Sequence, residues 1–142
     1  MLLQVKKLAP DAVLPTRGSV DSAGLDLYAA EDAEIPSGSS VAVQTGISAA
    51  IPQGCVGKLY IRSGHARKHD LELSNSVGIL DADYRGEIIA LVRNKGRKPY
   101  TIKKGERFAQ LLIEEYVHTD VVEVTELDDT VRSTGGFGST GQ

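Results

Sequence analysis

Between residues 41 and 51, apolar and β-branched side chains fall on every second position: Val41, Val43, Thr45, Ile47, Ala49 and Ile51 share one parity. A period of two is the mark of a half-buried β-strand. Pro36-Ser37-Gly38 before this run and Pro52-Gln53-Gly54 after it supply turn chemistry. Residues 57–61 and 87–93 also read as strands. Within the second, Ile88-Ile89-Ala90-Leu91-Val92 is apolar at both parities, which predicts that both faces are covered. Asn94-Lys95-Gly96 closes that strand, and residues 100–103 read as a short return strand before Gly105. Residues 108–113 (FAQLLI) suit a helix or a strand; their shortness and the glycine upstream favour a strand. Residues 121–124 form another β-branched segment. Helical signal is confined to Ser63–His69, enough for a turn or two. Many short strands separated by turns predict an all-β sandwich or barrel.

Composition narrows the class further. The 142 residues suit one domain, and 41% hydrophobic content is that of a globular chain. Sixteen Lys and Arg against nineteen Asp and Glu leave a net charge of −3, so nothing global favours nucleic acid or an anionic membrane. Trp is absent and aromatics are 5%, which argues against a base-stacking surface. A single cysteine, Cys55, excludes an internal disulfide and a cysteine-based zinc site, and it reads as a small core residue. Lys6 and Lys7 interrupt the apolar start of the chain, so no secretory leader is expected there. The longest apolar runs are far short of the ~20 residues that span a bilayer. A cytoplasmic or other intracellular location is the expectation.

Four segments could carry chemistry. Arg62-Ser63-Gly64 follows a predicted strand. Arg presents a planar fork of donors to phosphate oxygens, Ser a hydroxyl, and Gly an accessible backbone. A turn with a surface arginine would look the same. Asp81-Ala82-Asp83-Tyr84-Arg85-Gly86-Glu87 is denser; on an extended chain Asp81 and Asp83 share a face and could hold a divalent metal or supply a general base. An acidic hairpin in solvent also fits. Gly105-Glu106-Arg107-Phe108-Ala109-Gln110 sets Gln110 among apolar neighbours, where it needs hydrogen-bond partners from a structural network, a ligand or a metal-bound water. Residues 135–141 (GGFGSTG) could nest phosphate oxygens against Gly138, Ser139 and Thr140, with Phe137 free to stack on a flat ligand; a solvated tail is the alternative. No lysine precedes Ser139 in the manner of a Walker loop. His65, His69 and His118 lack metal-ligand spacing and read as solvated.

The order of these segments is more informative than any one of them. Ala23-Gly24-Leu25-Asp26-Leu27-Tyr28, then Arg62-Ser63-Gly64, then Gly78-Ile79-Leu80-Asp81-Ala82-Asp83-Tyr84-Arg85-Gly86-Glu87, then the block ending in Gln110-Leu111, then Arg132 and residues 135–141, resembles the five ordered motifs of the trimeric dUTPases. The resemblance implies a homotrimer of distorted jelly-roll β-barrels, with residues 1–131 as the barrel domain and 132–142 as a mobile arm closing over an active site. It implies hydrolysis of dUTP to dUMP and pyrophosphate with Mg²⁺, limiting uracil in DNA and supplying dUMP for thymidylate synthesis. Each site would draw on several chains.

By the same resemblance, Asp81 activates the water that attacks the α-phosphorus and holds the 3′-hydroxyl. Tyr84 packs on the deoxyribose and excludes a 2′-hydroxyl. Backbone groups of Gly78, Ile79 and Leu80 read the uracil edge, helped by Asn75. Arg62, Ser63 and Gly64 meet the α- and β-phosphates; Arg132, Ser139 and Thr140 meet the γ-phosphate beside Gly138, while Phe137 stacks on uracil. Asp26 and Gln110 reach Mg²⁺ only through water, the ion being held mainly by phosphates.

The chain departs from the usual pattern at several positions. His65 stands where Leu is usual, Glu106 for Asp, Phe108 for Ile, and Ser133 for Gly. A dCTP deaminase or bifunctional deaminase–dUTPase shares the fold, but its third block typically reads Asp-Pro-Gly-Phe where this chain has Asp81-Ala82-Asp83-Tyr84. A nucleotide-gated regulatory protein is the alternative of another class.

Overall fold

The computed structural model describes residues 1–136. The central sheet has four antiparallel strands in the order β2 (Leu25–Tyr28), β11 (Arg107–Glu115), β6 (Cys55–Ile61) and β8 (Gly78–Leu80). A second sheet orders β4 (Ser40–Gln44), β9 (Ile89–Asn94) and β7 (Leu71–Leu73). Two further pairs, β1 (Gln4–Lys7) with β5 (Ile47–Ala50) and β3 (Ala33–Ile35) with β10 (Tyr100–Ile102), close the ends. The one helix among the described residues, α1 (Ser63–His69), follows β6 directly. The fold is nearly all-β, as the strand pattern anticipates, and its sheets are jelly-roll-like, as the family resemblance implies.

The parity pattern across residues 41–51 survives, but not as one strand. Val43, Thr45, Ile47, Ala49 and Ile51 are all buried, yet the chain breaks between β4 and β5 at Gly46, whose φ is +68°. Any side chain there would be strained, and its Cβ would lie 3.1 Å from that of Ala12. The kink lets one run of alternating residues serve two sheets, since β4 pairs with β9 and β5 with β1. The Glu87 carboxylate fixes it by accepting the Gly46 N–H at 2.7 Å, and Thr45 Oγ1 donates to the Ile88 carbonyl at 2.6 Å.

Residues 107–115 resolve as strand, the longest of the described chain. Phe108, Ala109 and Leu111 are fully buried and pack with Leu27, Ile35, Ile102 and Val92 in one core. A bulge between Arg107 and Ala109 in the pairing with β2 inserts Phe108 without disturbing the register beyond it. Asn94 is the largest buried polar group that the sequence pattern did not flag. Its amide donates to the carbonyls of Ile35 (2.9 Å) and Lys98 (2.8 Å) and accepts from Gly96 N–H (2.9 Å), which holds the β9–β10 turn.

Four expectations require correction. Residues 121–124 form no strand; from 117 to 131 the chain has neither helix nor strand and is exposed, because no partner strand is within reach of it in one chain. Residues 88–92 are covered on one face only: Ile88, Ala90 and Val92 are buried, whereas Ile89 and Leu91 are 44% and 45% exposed. Asp81 and Asp83 do not sit on an extended chain but in a turn closed by Tyr84 N–H donating to the Asp81 carbonyl at 3.1 Å. His65 is not solvated; it is the one buried residue of α1. Cys55 is buried, as expected of a core residue.

Candidate active site

Strand register builds the first half of the site. Tyr60 on β6, Gln110 on β11 and Asp26 on β2 stand directly opposite one another across three neighbouring strands, so their side chains share a face. All three line a cavity of about 450 Å³, with Arg62 and Ser63 at its rim. Gly24 closes its floor; a Cβ there would lie 2.5 Å from Gln110 Oε1, so only glycine admits the glutamine in this position. Asp26 is 6% exposed and is held between two guanidinium groups, Arg62 Nε at 2.9 Å and Arg107 Nη1 at 3.2 Å. Arg62 is the N-cap of α1, in extended conformation, so Ser63 and Gly64 form the helix's exposed first turn. Sequence reasoning missed Arg107 and Tyr60. Tyr60 was legible two residues before Arg62 on an alternating strand, but the bulge disguised the face of Arg107.

Behind α1 lies a carboxylate that the sequence placed only in a turn. Glu106 Oε1 accepts from the His65 ring Nε2 at 2.8 Å and from the Tyr100 hydroxyl at 3.0 Å, while Oε2 accepts from Lys103 N–H at 2.9 Å. Burial works to raise the Glu106 pKa, but the hydrogen bonds from Lys103, His65 and Tyr100 outweigh it and hold the carboxyl below its ordinary range. Burial, reinforced by the hydrogen bond to Glu106, pushes Tyr100 up to about 12.

The second half of the site lies elsewhere on the chain. β8 is the outermost strand of its sheet, so one edge of the Gly78, Ile79 and Leu80 backbone has no strand partner among the described residues. Asp81 follows it, exposed at the start of the turn. The Tyr84 hydroxyl donates to the Glu87 carbonyl at 2.9 Å, and its ring lies over Gly86, where a Cβ would fall 2.5 Å from Tyr84 Cζ. Arg85 closes the turn by donating to the carbonyls of Ala82 and Tyr84. Asn75 is exposed in the turn that leads into β8, where Ser76 takes a left-handed φ of 63°. Asp81 and Tyr84 share a cavity of about 220 Å³ with Ile79 and Ile89.

One chain does not bring the two halves together. β6 and β8 pair with Gly57 opposite Leu80, which puts Asp81 level with Val56. Arg62 is six residues further along, roughly 20 Å at ~3.3 Å per strand residue. A groove of about 830 Å³ touches Asp81 beside Val56 and Tyr116 but includes neither Arg62 nor Ser63. Arg132 is exposed, its Nε donating to the Gly135 carbonyl at 2.9 Å. The expectations for Phe137, Gly138, Ser139 and Thr140 lie outside the described residues.

A family model described as dUTPase matches residues 11–141. The chain belongs to the dUTPase family. It is 47% identical over 139 residues to the deoxyuridine 5′-triphosphate nucleotidohydrolase of Paramecium bursaria Chlorella virus 1, covering 98% of this chain and 97% of that one. It is 44% identical to the human mitochondrial enzyme of that name, spanning all of this chain and 56% of the human one. Among solved structures, Staphylococcus bacteriophage 80alpha dUTPase with dUpNHpp superposes with a TM-score of 0.91 at 29% identity, covering 99% of both chains. A phage phi11 dUTPase mutant, described with a structural Mg(II) ion, superposes at 0.82 with 26% identity over 89% of this chain and 98% of that one. These matches favour neither the deaminase nor the regulatory reading.

Among the described residues, no three His, Cys, Asp or Glu side chains cluster as a metal cage. The cavity beside Arg62 offers one carboxylate, already paired with two arginines, and one side-chain amide. Such a donor set fits an ion that keeps its waters and binds chiefly to a ligand's phosphates. Among the described residues, no helix is long and apolar enough to cross a membrane.

Proposed function

We propose that this protein hydrolyses dUTP to dUMP and pyrophosphate in a homotrimer whose active sites are each completed by neighbouring subunits. The supporting observation is the separation just described. A base and a phosphate clamp acting on one α-phosphorus must lie within a few ångströms of it, and in one chain they are roughly 20 Å apart. A closed three-fold ring with heterologous contacts would set the Asp81–Tyr84 turn of one subunit against the Arg62-Ser63-Gly64 turn of the next. Ile89 and Leu91, apolar and half exposed, are suited to burial in that contact.

In this reading the unpaired edge of β8 reads uracil through its backbone, with Asn75 nearby. A thymine methyl would meet a wall, and the cytosine amino group would face an N–H. Tyr84, fixed over Gly86, blocks a 2′-hydroxyl. Asp81 takes a proton from the attacking water, and Arg62 with Ser63 and Gly64 holds the α- and β-phosphates. Asp26 and Gln110 would face the hydrated Mg²⁺, which when bound offsets triphosphate charge. Arg132 would reach the γ-phosphate from the C-terminal segment, and Gly138, Ser139, Thr140 and Phe137 carry the roles that the family resemblance gives them. A deoxynucleoside triphosphate substrate goes with an intracellular location.

The decisive experiment mixes two inactive proteins. Asp81→Asn and Arg62→Ala, unfolded together in equal amounts and refolded, should regain about a quarter of wild-type turnover, because random mixing gives that share of sites both intact groups. If each site were built from one chain, the mixture would stay inactive.

A further inference from the structure

α1 has seven residues, no side-chain cap at Arg62 and no acidic residue in its first turn. A helix so short has little stability of its own and is placed by what it packs against. Its one buried side chain is His65. The His65 backbone N–H closes the first turn onto the Arg62 carbonyl at 3.0 Å, so the imidazole and the Arg62-Ser63-Gly64 turn move as a unit. That imidazole ends on Glu106, which also gathers Tyr100 from β10 and the Lys103 N–H. The Glu106 carbonyl accepts the Ala29 N–H at 3.0 Å, three residues beyond Asp26, and the next residue, Arg107, pairs with Asp26 itself. One carboxylate therefore ties the helix carrying Ser63 and Gly64 to the strands carrying Asp26 and Gln110. His65 and Glu106, 41 residues apart in the sequence, thus meet in one hydrogen bond.

We propose that His65 and Glu106 form a positioning pair that sets the Arg62-Ser63-Gly64 turn at the distance from Asp26 and Gln110 that a nucleoside triphosphate requires. The pair touches no substrate. It acts through α1, and it rests on the reading that this turn binds the phosphates.

The test uses the full-length protein and calorimetric binding of two ligands, the unreactive analogue dUpNHpp and the product dUMP, which lacks the β- and γ-phosphates. His65→Leu should weaken dUpNHpp binding about tenfold while leaving dUMP within about twofold, and should raise KM more than it lowers kcat. His65→Gln, whose amide can still donate to Glu106, should recover most of the loss. Adding Glu106→Gln to His65→Leu should cost less than the sum of the two single effects. Equal loss for both ligands, no loss for either, equal effects of Leu and Gln, or simple additivity would overturn the pair. Should His65→Leu fail to assemble, Glu106→Gln decides by the same comparison. Arg62→Ala separates the two ideas: if it too binds dUpNHpp normally, the phosphate reading falls and takes the pair with it; if it binds weakly while the His65 variants bind normally, only the pair falls.

Discussion

The Asp26 carboxylate holds the Arg62 guanidinium at 2.9 Å, and both residues line the same cavity. The arginine is thus aimed before any anion arrives, and the carboxylate that aims it is itself braced by Arg107. Preorganisation of this kind lowers the reorganisation that binding would otherwise require.

Asp26→Ala should consequently harm both fold and function. Two guanidinium groups lose a largely buried counterion, so stability should fall by about 1–3 kcal/mol, as for other hydrogen bonds to charged groups. Urea unfolding measures that loss. Steady-state kinetics should show a raised KM for dUTP together with a lower kcat, since Arg62 is left unaimed.

Asp81→Asn should leave nucleotide binding intact and reduce turnover by about 10²–10⁴-fold or more, the contribution typical of a positioned general base. Calorimetry with dUpNHpp checks the first half, pyrophosphate release the second. Asp81 is exposed and outside the core, so no loss of stability should accompany the change.

Leu91→Asp should break the proposed trimer towards monomer in sedimentation velocity and abolish turnover, although Leu91 lies in neither half of the site. Undisturbed assembly and activity would mean that the apolar face of β9 contacts something other than a second copy.

Stability should depend on pH at both extremes through the Glu106–Tyr100 contact. Glu106 is held below its ordinary 4.5, so its contribution is complete above that value and is lost as pH falls through the lower, folded one. Tyr100 is raised from 10.0 to about 12, so its contribution is present below pH 10 and is lost as pH rises towards 12. Tyrosinate absorbance should show a step near pH 12, and Tyr100→Phe should remove it.

Removing residues 132–142 should leave the proposed trimer folded, with greatly reduced turnover. Among the described residues no fully buried side chain lies beyond Leu111, and the chain from 117 to 131 is exposed, so the fold should survive the truncation. Circular dichroism and sedimentation test the fold, and dUTP hydrolysis the loss.

Local pattern exposed some of this architecture and hid the rest. Residues 108–113 were legible because their shortness and the preceding glycine favour a strand, and α1 because no β pattern competes there. The break at Gly46 was hidden, since alternation runs unbroken through it and only three-dimensional pairing shows two sheets being served. Residues 121–124 misled because β-branched composition needs a partner that one chain does not offer. In the site, Asp81, Arg62 and Gln110 stood out through the order of their motifs. Arg107 and Tyr60 did not, because their roles arise from a bulge and from cross-strand register, which are properties of pairing. The His65–Glu106 contact was invisible for the same reason, being 41 residues apart along the chain.

β11 packs Phe108, Ala109 and Leu111 into the interior, while its Gln110 lines the cavity beside Arg62 and its Arg107 pairs with Asp26. Interior and chemistry therefore share a single length of backbone, without a loop between them to absorb error. A sub-ångström slackening of the barrel reaches the cavity undiminished. Variants of its interior residues that are still well folded by spectroscopy should already be poor enzymes.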